Sequence, residues 1–255
     1  MAPRRAIIGP VSARDYADRS VYRRRVEPAG LARFTVKQAQ SDLHVSAVRD
    51  LSAEAGEALK AVRAEIEAYL AARPGFAGAL DPWPDDPEAP ATLAAMIHAA
   101  CMAGVGPMAA VAGAVAGRVG RALLPESPEL IVENGGDVFL ASEKPRVAAV
   151  FAGGSSLSMR LGIRLQPAPQ GVAVCASSGT VGPSLSRGRA DAAVIVSADE
   201  CLADAAATAL GNRVASVSDL AAAMEWAESV EGVDGALAVI GEDLAAWGAV
   251  ELVQL

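Results

Sequence analysis

Aromatic residues are scarce in this 255-residue chain, at 4% of the total. A core with few rings must be closed by aliphatic side chains and tight helix packing, and the abundance of Ala and Gly suits that. Histidine is scarcer still: His44 and His98 alone exclude a His-rich metal site. The three cysteines, Cys101, Cys175 and Cys201, are odd in number and match neither CxxC nor a zinc spacing. No disulfide framework is expected, and the compartment reads as reducing and cytoplasmic. Basic charge is also in deficit, 22 Lys and Arg against 30 Asp and Glu, for a net charge of −8. That excludes the basic field which nucleic acid or an anionic membrane would require. A secretory leader is not expected, because Pro10 closes the short apolar run of MAPRRAIIGP. The stretch Ala91 to Gly117 has no Asp, Glu, Lys or Arg, is Ala/Gly-rich and is broken by Gly104-Val105-Gly106-Pro107. It reads as two buried helices, Thr92 to Met102 and Pro107 to Leu123, and not as a membrane span. His98 is then expected to be a core histidine.

What is present can be taken in order. Residues 1–30 form an Arg-rich arm, read as partly flexible, with Arg4, Arg5, Arg14 and the run Tyr22 to Arg25. Residues 31–255 read as one domain. Arg33 to Val48 alternates like a hairpin around Gln40-Ser41-Asp42, with His44 on the polar phase. Ser52 to Ala72 carries Ala55, Leu59, Val62, Ile66 and Leu70 at helical spacing. Glu57, Lys60, Arg63 and Glu67 line its other side. The segment DPWPDDPEAP, Asp81 to Pro90, must be a loop.

Leu130 to Leu140 reads as two strands around Gly135-Gly136, a pair suited to a tight hairpin turn. Asn134 and Asp137 flank it and could close Asx turns. Alternatively, the glycines let a ligand approach the backbone. Val147 to Ala152 and Leu161 to Leu165 are further strands. Gly/Ser turns at 135–136, 153–156 and 177–180 each follow a strand, and would converge if those strands share a sheet edge.

The richest stretch is Gly171 to Asn212. GVAVCA reads as a strand, and Ser177, Ser178, Gly179 and Thr180 follow at once. Hydroxyls and a glycine at a strand end can turn donors toward an anion, although no GxGxxG or GxxxxGK[ST] is present. ADAAVIVSAD is a buried strand. Ser197 to Glu200 fits a capping box for a helix from Ala198 to Leu210, with Gly211 as its stop. On it Cys201, Asp204, Thr208 and Gly211 share one face, and Leu202, Ala206 and Leu210 another. Asp204 and Thr208 offer hard oxygens that suit Mg²⁺. Equally, Asp204 could favour the helix N-terminus and Thr208 bond back to a carbonyl. Ser218-Asp219 then caps a helix with Leu220, Met224 and Ala227 inward. Ala236 to Ile240 is a strand, and LAAWGAVELV a last strand or short helix. Strands come in runs and helices in pairs, which selects α+β over a doubly wound sheet. The Ala/Gly-rich helices could face the core or a second copy, which leaves a homo-oligomer open.

Four motifs in this order, GVGPMAAVAGAVA, IVENGGDVFL, CASSGTVGPSLSRGRADAAVIVS and LADAAATALGN, closely resemble an uncharacterised ApbE-like protein family, from about Phe34 to Val253. The order is also similar, more distantly, to the FAD:protein FMN transferases. The matching stretches are Val105 to Pro107, Asn134 to Asp137, Ala176 to Gly179 and Ala203 to Ala209. The resemblance implies an α+β fold of antiparallel or mixed sheets packed with Ala/Gly-rich helices. It implies Mg²⁺ held by the Ala176 carbonyl, Asp204 and Thr208, and FAD or FMN beside Asn134, Gly135, Gly136, Ser177, Ser178, Gly179 and Thr180. The transferases carry His-x-x-Asp-Pro between the Ser-Gly turn and the last helix, and an aromatic residue just after the turn. Here there is no histidine or Asp-Pro between Gly179 and Asp204, and Thr180 stands in the aromatic place.

The expected function is therefore binding of a flavin or other small phosphorylated ligand with Mg²⁺, with metal-assisted phosphoryl or nucleotidyl transfer and Asp137 as the base. The rivals are a non-catalytic flavin or nucleotide carrier, and an enzyme using Cys175 or a serine as nucleophile.

Overall fold

The computed structural model describes residues 30–179 and 188–255. The Arg4, Arg5, Arg14 and Tyr22 to Arg25 readings, and that of Thr180, lie outside the described residues. The described strands are β1 (Ala32–Gln38), β2 (Ser41–Ala47), β3 (Leu130–Asn134), β4 (Asp137–Ser142), β5 (Arg146–Ala149), β6 (Leu161–Leu165), β7 (Ala168–Ser177), β8 (Ala192–Ser197), β9 (Gly235–Ile240), β10 (Asp243–Gly248) and β11 (Glu251–Gln254). The helices are α1 (Ser52–Ala72), α2 (Ala91–Ala103), α3 (Val111–Leu123), α4 (Glu200–Arg213) and α5 (Leu220–Ser229). An antiparallel sheet of order β1-β2-β3-β4-β7-β8-β9-β10 has the helices on one face. A three-stranded antiparallel sheet, β11-β6-β5, covers the other. This is the α+β class expected from the order of elements.

Strand alternation builds two cores from one sheet. In β8, Ala193 and Ile195 face the helices while Ala192, Val194 and Val196 face the small sheet. In β9 the same alternation sets Ala236 and Ala238 against Leu237 and Val239. These central strands are covered on both faces, which is why ADAAVIVSAD has no polar phase.

Helix α4 lies between β7 and β8 on one side and α2 and α3 on the other. Only small side chains fit such a slot, so Ala203, Ala205, Ala206, Ala207 and Ala209 fill it. Both of its faces are therefore buried, not the Leu202/Ala206/Leu210 stripe alone. Its cap also differs from the expectation. Asp199 is the N-cap, accepting from the N–H groups of Cys201 (2.8 Å) and Leu202 (3.0 Å). Ser197 belongs to β8 and donates to the Gly232 carbonyl. Gly211 does not stop the helix, which runs on to Arg213. A Cβ on neighbouring Gly188 would lie 1.8 Å from the Gly211 oxygen, so backbone meets backbone there.

Helix α1 spans the expected residues, with Tyr69 buried at its end beside the half-buried Leu70, which packs against the same core. Trp83, in the proline loop, is covered edge-on by Phe76 at 5.2 Å. α2 and α3 meet at the Gly104–Pro107 break with a 108° bend, and no single described helix is long and apolar enough to cross a membrane. His98 is exposed, contrary to the core expectation: α2 is apolar all round, yet its Ala94, His98 and Cys101 stripe faces outward. β5 stops at Ala149, short of Ala152. Ser216, with Asp219 at N3, makes the capping box that leads into α5, in place of Ser218. The C-terminal stretch forms two strands, β10 in the large sheet and β11 in the small one.

Candidate functional site

One edge of the large sheet gathers most of the residues singled out from the sequence. β3 and β4 are joined there by Gly135-Gly136, both at positive φ (71° and 110°), as a two-residue turn requires. β4 and β7 are antiparallel, Val138 opposite Val174, so the start of β4 and the end of β7 reach the same edge. The alternation that sends Phe139 and Ala173 into the helix-side core puts Asp137 and Cys175 on that side too. The turn at 153–156 reaches this edge from the small sheet, where the Ser155 hydroxyl donates to the carbonyl of Gly241, after β9 (2.5 Å).

Above Asp137 stands the N-terminus of α3. The Gly113 N–H donates to Asp204 Oδ2 at 2.7 Å across 91 residues of sequence. Asp204 thus caps α3, not the helix that carries it, and the positive end of α3 favours its charge. The Asn134 side-chain amide donates to the Ala112 carbonyl at 3.1 Å, tying the hairpin to the same turn of α3. On the strand side, the Ala176 N–H donates to Asp137 Oδ1 (3.3 Å), and the Gly136 N–H to Glu133 Oε1 (3.0 Å).

The electrostatics follow from burial. Asp137 and Asp204 are 6% and 8% exposed. Desolvation pushes the Asp204 carboxyl up to about 7, against the opposing pull of the Gly113 and Ala112 amides. Asp137 is held well above the usual carboxylate range by burial, then by the Asp204 charge and by Glu133. The charged groups that act most strongly on Asp137 are themselves carboxylates, Asp204 and Glu133. Burial, then Asp137 and Asp204, push the Cys175 thiol well up. It stays protonated, so the structure argues against Cys175 as a nucleophile.

Thr208 lies one turn beyond Asp204, half-buried on α4. Ser177 ends β7 on the helix side, near Gly211. Two expected anion donors are engaged elsewhere: the Gly179 N–H donates to the Ala190 carbonyl (2.9 Å), and so does the Ser178 hydroxyl (3.4 Å). The structure therefore brings together Asn134, Gly135, Gly136, Asp137, Ala176, Ser177 and Asp204, with Thr208 a turn away. Ser178 and Gly179 border the group with their donors turned aside.

The described residues contain no group of three or more His, Cys, Asp and Glu side chains arranged for a metal. A cation here would have to draw on two carboxylates, a hydroxyl, backbone oxygen and a ligand's own oxygens. That hard, incomplete donor set fits Mg²⁺, which keeps several positions for water or phosphate.

Sequence reading missed what holds the two helices together. A Cβ on Gly113 would lie 2.3 Å from the Glu200 carbonyl oxygen, and one on Gly117 2.1 Å from the Glu200 side chain. Arg121 then grips Glu200 with two hydrogen bonds, of 3.1 and 2.7 Å. The Gly113-x-x-x-Gly117 spacing was the available signal, and it lay inside a run read only as apolar.

Comparison with known proteins agrees with this architecture. A family model described as AbpE bacteria matches residues 23–237. A UPF0280 protein of Methanocella arvoryzae is 42% identical over 188 residues, covering 73% of this chain and 76% of the relative. One from Methanosarcina acetivorans is 40% identical over 198 residues, covering 77% and 78%. Among solved structures, the flavin transferase ApbE from Vibrio cholerae superposes with a TM-score of 0.58 over 87% of this chain and 97% of its own. At 10% identity that likeness is one of fold. The chain therefore belongs to the ApbE-like family of the UPF0280 proteins, built on the fold of the ApbE flavin transferases.

Proposed function

We propose that this protein binds a flavin or another phosphorylated, nucleotide-like ligand together with Mg²⁺ at the edge formed by β3, β4, β7 and the N-terminus of α3, and that it supports phosphoryl or nucleotidyl transfer there. The buried Asp137–Asp204 pair carries the reading. In this dry site the Asp204 charge adds to burial in raising the Asp137 carboxyl, so the pair calls for a proton or a cation between them. Asp204, Thr208 and the Ala176 carbonyl would hold the metal, and Asp137 would serve as the base. Mg²⁺ bound there supplies charge neutralisation at a pyrophosphate. Ser177 and the Asn134–Gly136 turn border the place where the phosphates would lie. The flavin fold of the structural neighbour supports a flavin as the first ligand to try.

A second reading is a carrier that binds without turnover. The engagement of Ser178 and Gly179 with Ala190 favours it, as does the lack of a histidine or Asp-Pro between Gly179 and Asp204. Incubation with excess FAD and Mg²⁺, with water or an added protein hydroxyl to take the flavin phosphoryl group as AMP leaves, followed by chromatography for AMP, separates the two. Repeated AMP release that Asp137→Asn abolishes supports transfer. Retained FAD with no AMP supports the carrier. Neither retention nor AMP release rejects the flavin in both.

A further inference from the structure

We propose that Arg121 is a positioning residue for this site, acting through Glu200 to hold Asp204 against the first turn of α3. The inference rests on the reading of Asp204 as a cation-binding carboxylate.

Glu200 and Asp204 are one turn apart on α4 and face the same helix, α3. Gly113 receives Asp204, while Gly117 and Arg121, on the same side of α3, receive Glu200. Five residues thus form two rungs between the helices. The Asp204 rung is the hydrogen bond from the Gly113 amide, with the Ala112 amide also drawing on the carboxylate. The Glu200 rung is a bidentate ion pair, with the Arg121 Nη2 also donating to the Ala198 carbonyl (3.2 Å) at the mouth of α4. The Arg121 guanidinium lies over the Phe139 ring at 5.3 Å, and Phe139 is on β4 two residues from Asp137. One side chain therefore ties α3, the start of α4 and β4 together, the three elements that present Asp204 and Asp137.

A planar fork held by two oxygens and an aromatic face fixes both distance and rotation. Lysine keeps the charge but not the fork. Outer partners of metal-binding groups typically set affinity by roughly 10-fold or more, because they fix the ligand's orientation.

The test uses Mn²⁺ as the probe, with affinity read from the free-ion EPR signal of the full chain. Wild type, Asp204→Ala, Arg121→Gln, Arg121→Lys and Glu200→Gln are compared, each confirmed as folded by circular dichroism. Binding by wild type that Asp204→Ala abolishes supports the underlying reading. Arg121→Gln and Glu200→Gln should then weaken Mn²⁺ roughly 10-fold, with Arg121→Lys recovering only part. Amide exchange at Gly113 should accelerate in the same order. A purely structural role would lower the melting temperature and leave the Mn²⁺ affinity of the folded variants at the wild-type value, which would overturn the inference while the cation site stands. If wild type binds no Mn²⁺, or Asp204→Ala binds as well as wild type, the reading of the site fails and the positioning role with it. Should Arg121→Gln not fold, Arg121→Lys and Glu200→Gln decide.

Discussion

Gly113→Ala is the sharpest test of how the site is assembled, because local and tertiary effects oppose each other. Gly113 lies in the first turn of α3, and replacing a helical glycine by alanine ordinarily gains about 0.5–1 kcal/mol. Here the new methyl carbon would stand 2.3 Å from the Glu200 carbonyl oxygen and 2.8 Å from the Asp204 Cβ. A backbone oxygen cannot rotate away, so α4 must shift as a body. Overpacking of this kind costs about 1–3 kcal/mol, and the rigid obstacle puts the cost near the upper end. The net expectation is a loss of about 2 kcal/mol. At a urea slope of about 2 kcal/mol/M that lowers the midpoint by roughly 1 M. Gly56→Ala in α1 is the matched control: its nearest neighbour would be a Val36 methyl at 3.9 Å, so the propensity gain is unopposed and stability should rise. Gly117→Ala falls between, because the Glu200 side chain it meets can swing aside at the expense of its pair with Arg121. Urea unfolding of the three variants checks the order. A Gly113→Ala protein as stable as wild type would refute the close-packed α3–α4 junction.

Other outcomes follow from the same geometry. The Asp204 carboxyl titrates near 7 when folded against 3.8 as its reference value, so the folded state holds the extra proton. Its stabilising share is present in full below the lower value and is lost as pH rises through the upper one; metal-free unfolding in urea should show this decline between them, and Asp204→Asn should flatten it. Iodoacetamide on the native protein should label the exposed Cys101 alone, and all three thiols after denaturation; rapid native labelling of Cys175 would contradict its burial beneath Asp137 and Asp204.

Elements written in local chemistry were legible from the sequence. α1 could be read because its stripe, its flanking charges and the Pro74-Gly75 pair that follows it all agree. The 135–136 hairpin was legible because two adjacent glycines suit one turn above others. The gathering of Asn134, Asp137 and the end of β7 at one edge was anticipated in outline. What stayed hidden depends on partners distant in sequence. Asp199 outcompetes Ser197 as a cap because Ser197 is still needed in β8, bonded to Gly232. Gly211 looks like a helix stop, yet the helix runs past it, and it is the missing Cβ of Gly188 that lets the Gly211 carbonyl approach so closely. His98 lies in a run whose outward face also carries Ala91, Ala94 and Cys101, small residues that periodicity cannot distinguish from inward ones. Asp204 was read as serving its own helix or a metal, and its bond to Gly113 spans 91 residues. Arg121 carried no local signal, and Glu200, read as closing a capping box with Ser197, instead pairs with Arg121 across 79 residues.

The central claim is that the Asp137–Asp204 edge is a cation-dependent site for a phosphorylated ligand. The most direct measurement is a fluorescence titration of metal-free protein with FAD, in Mg²⁺ and in EDTA, with Asp204→Ala alongside. The account predicts saturable quenching that requires Mg²⁺ and disappears in the variant. Equal binding with and without Mg²⁺, undiminished in Asp204→Ala, or no binding in any condition, would contradict it.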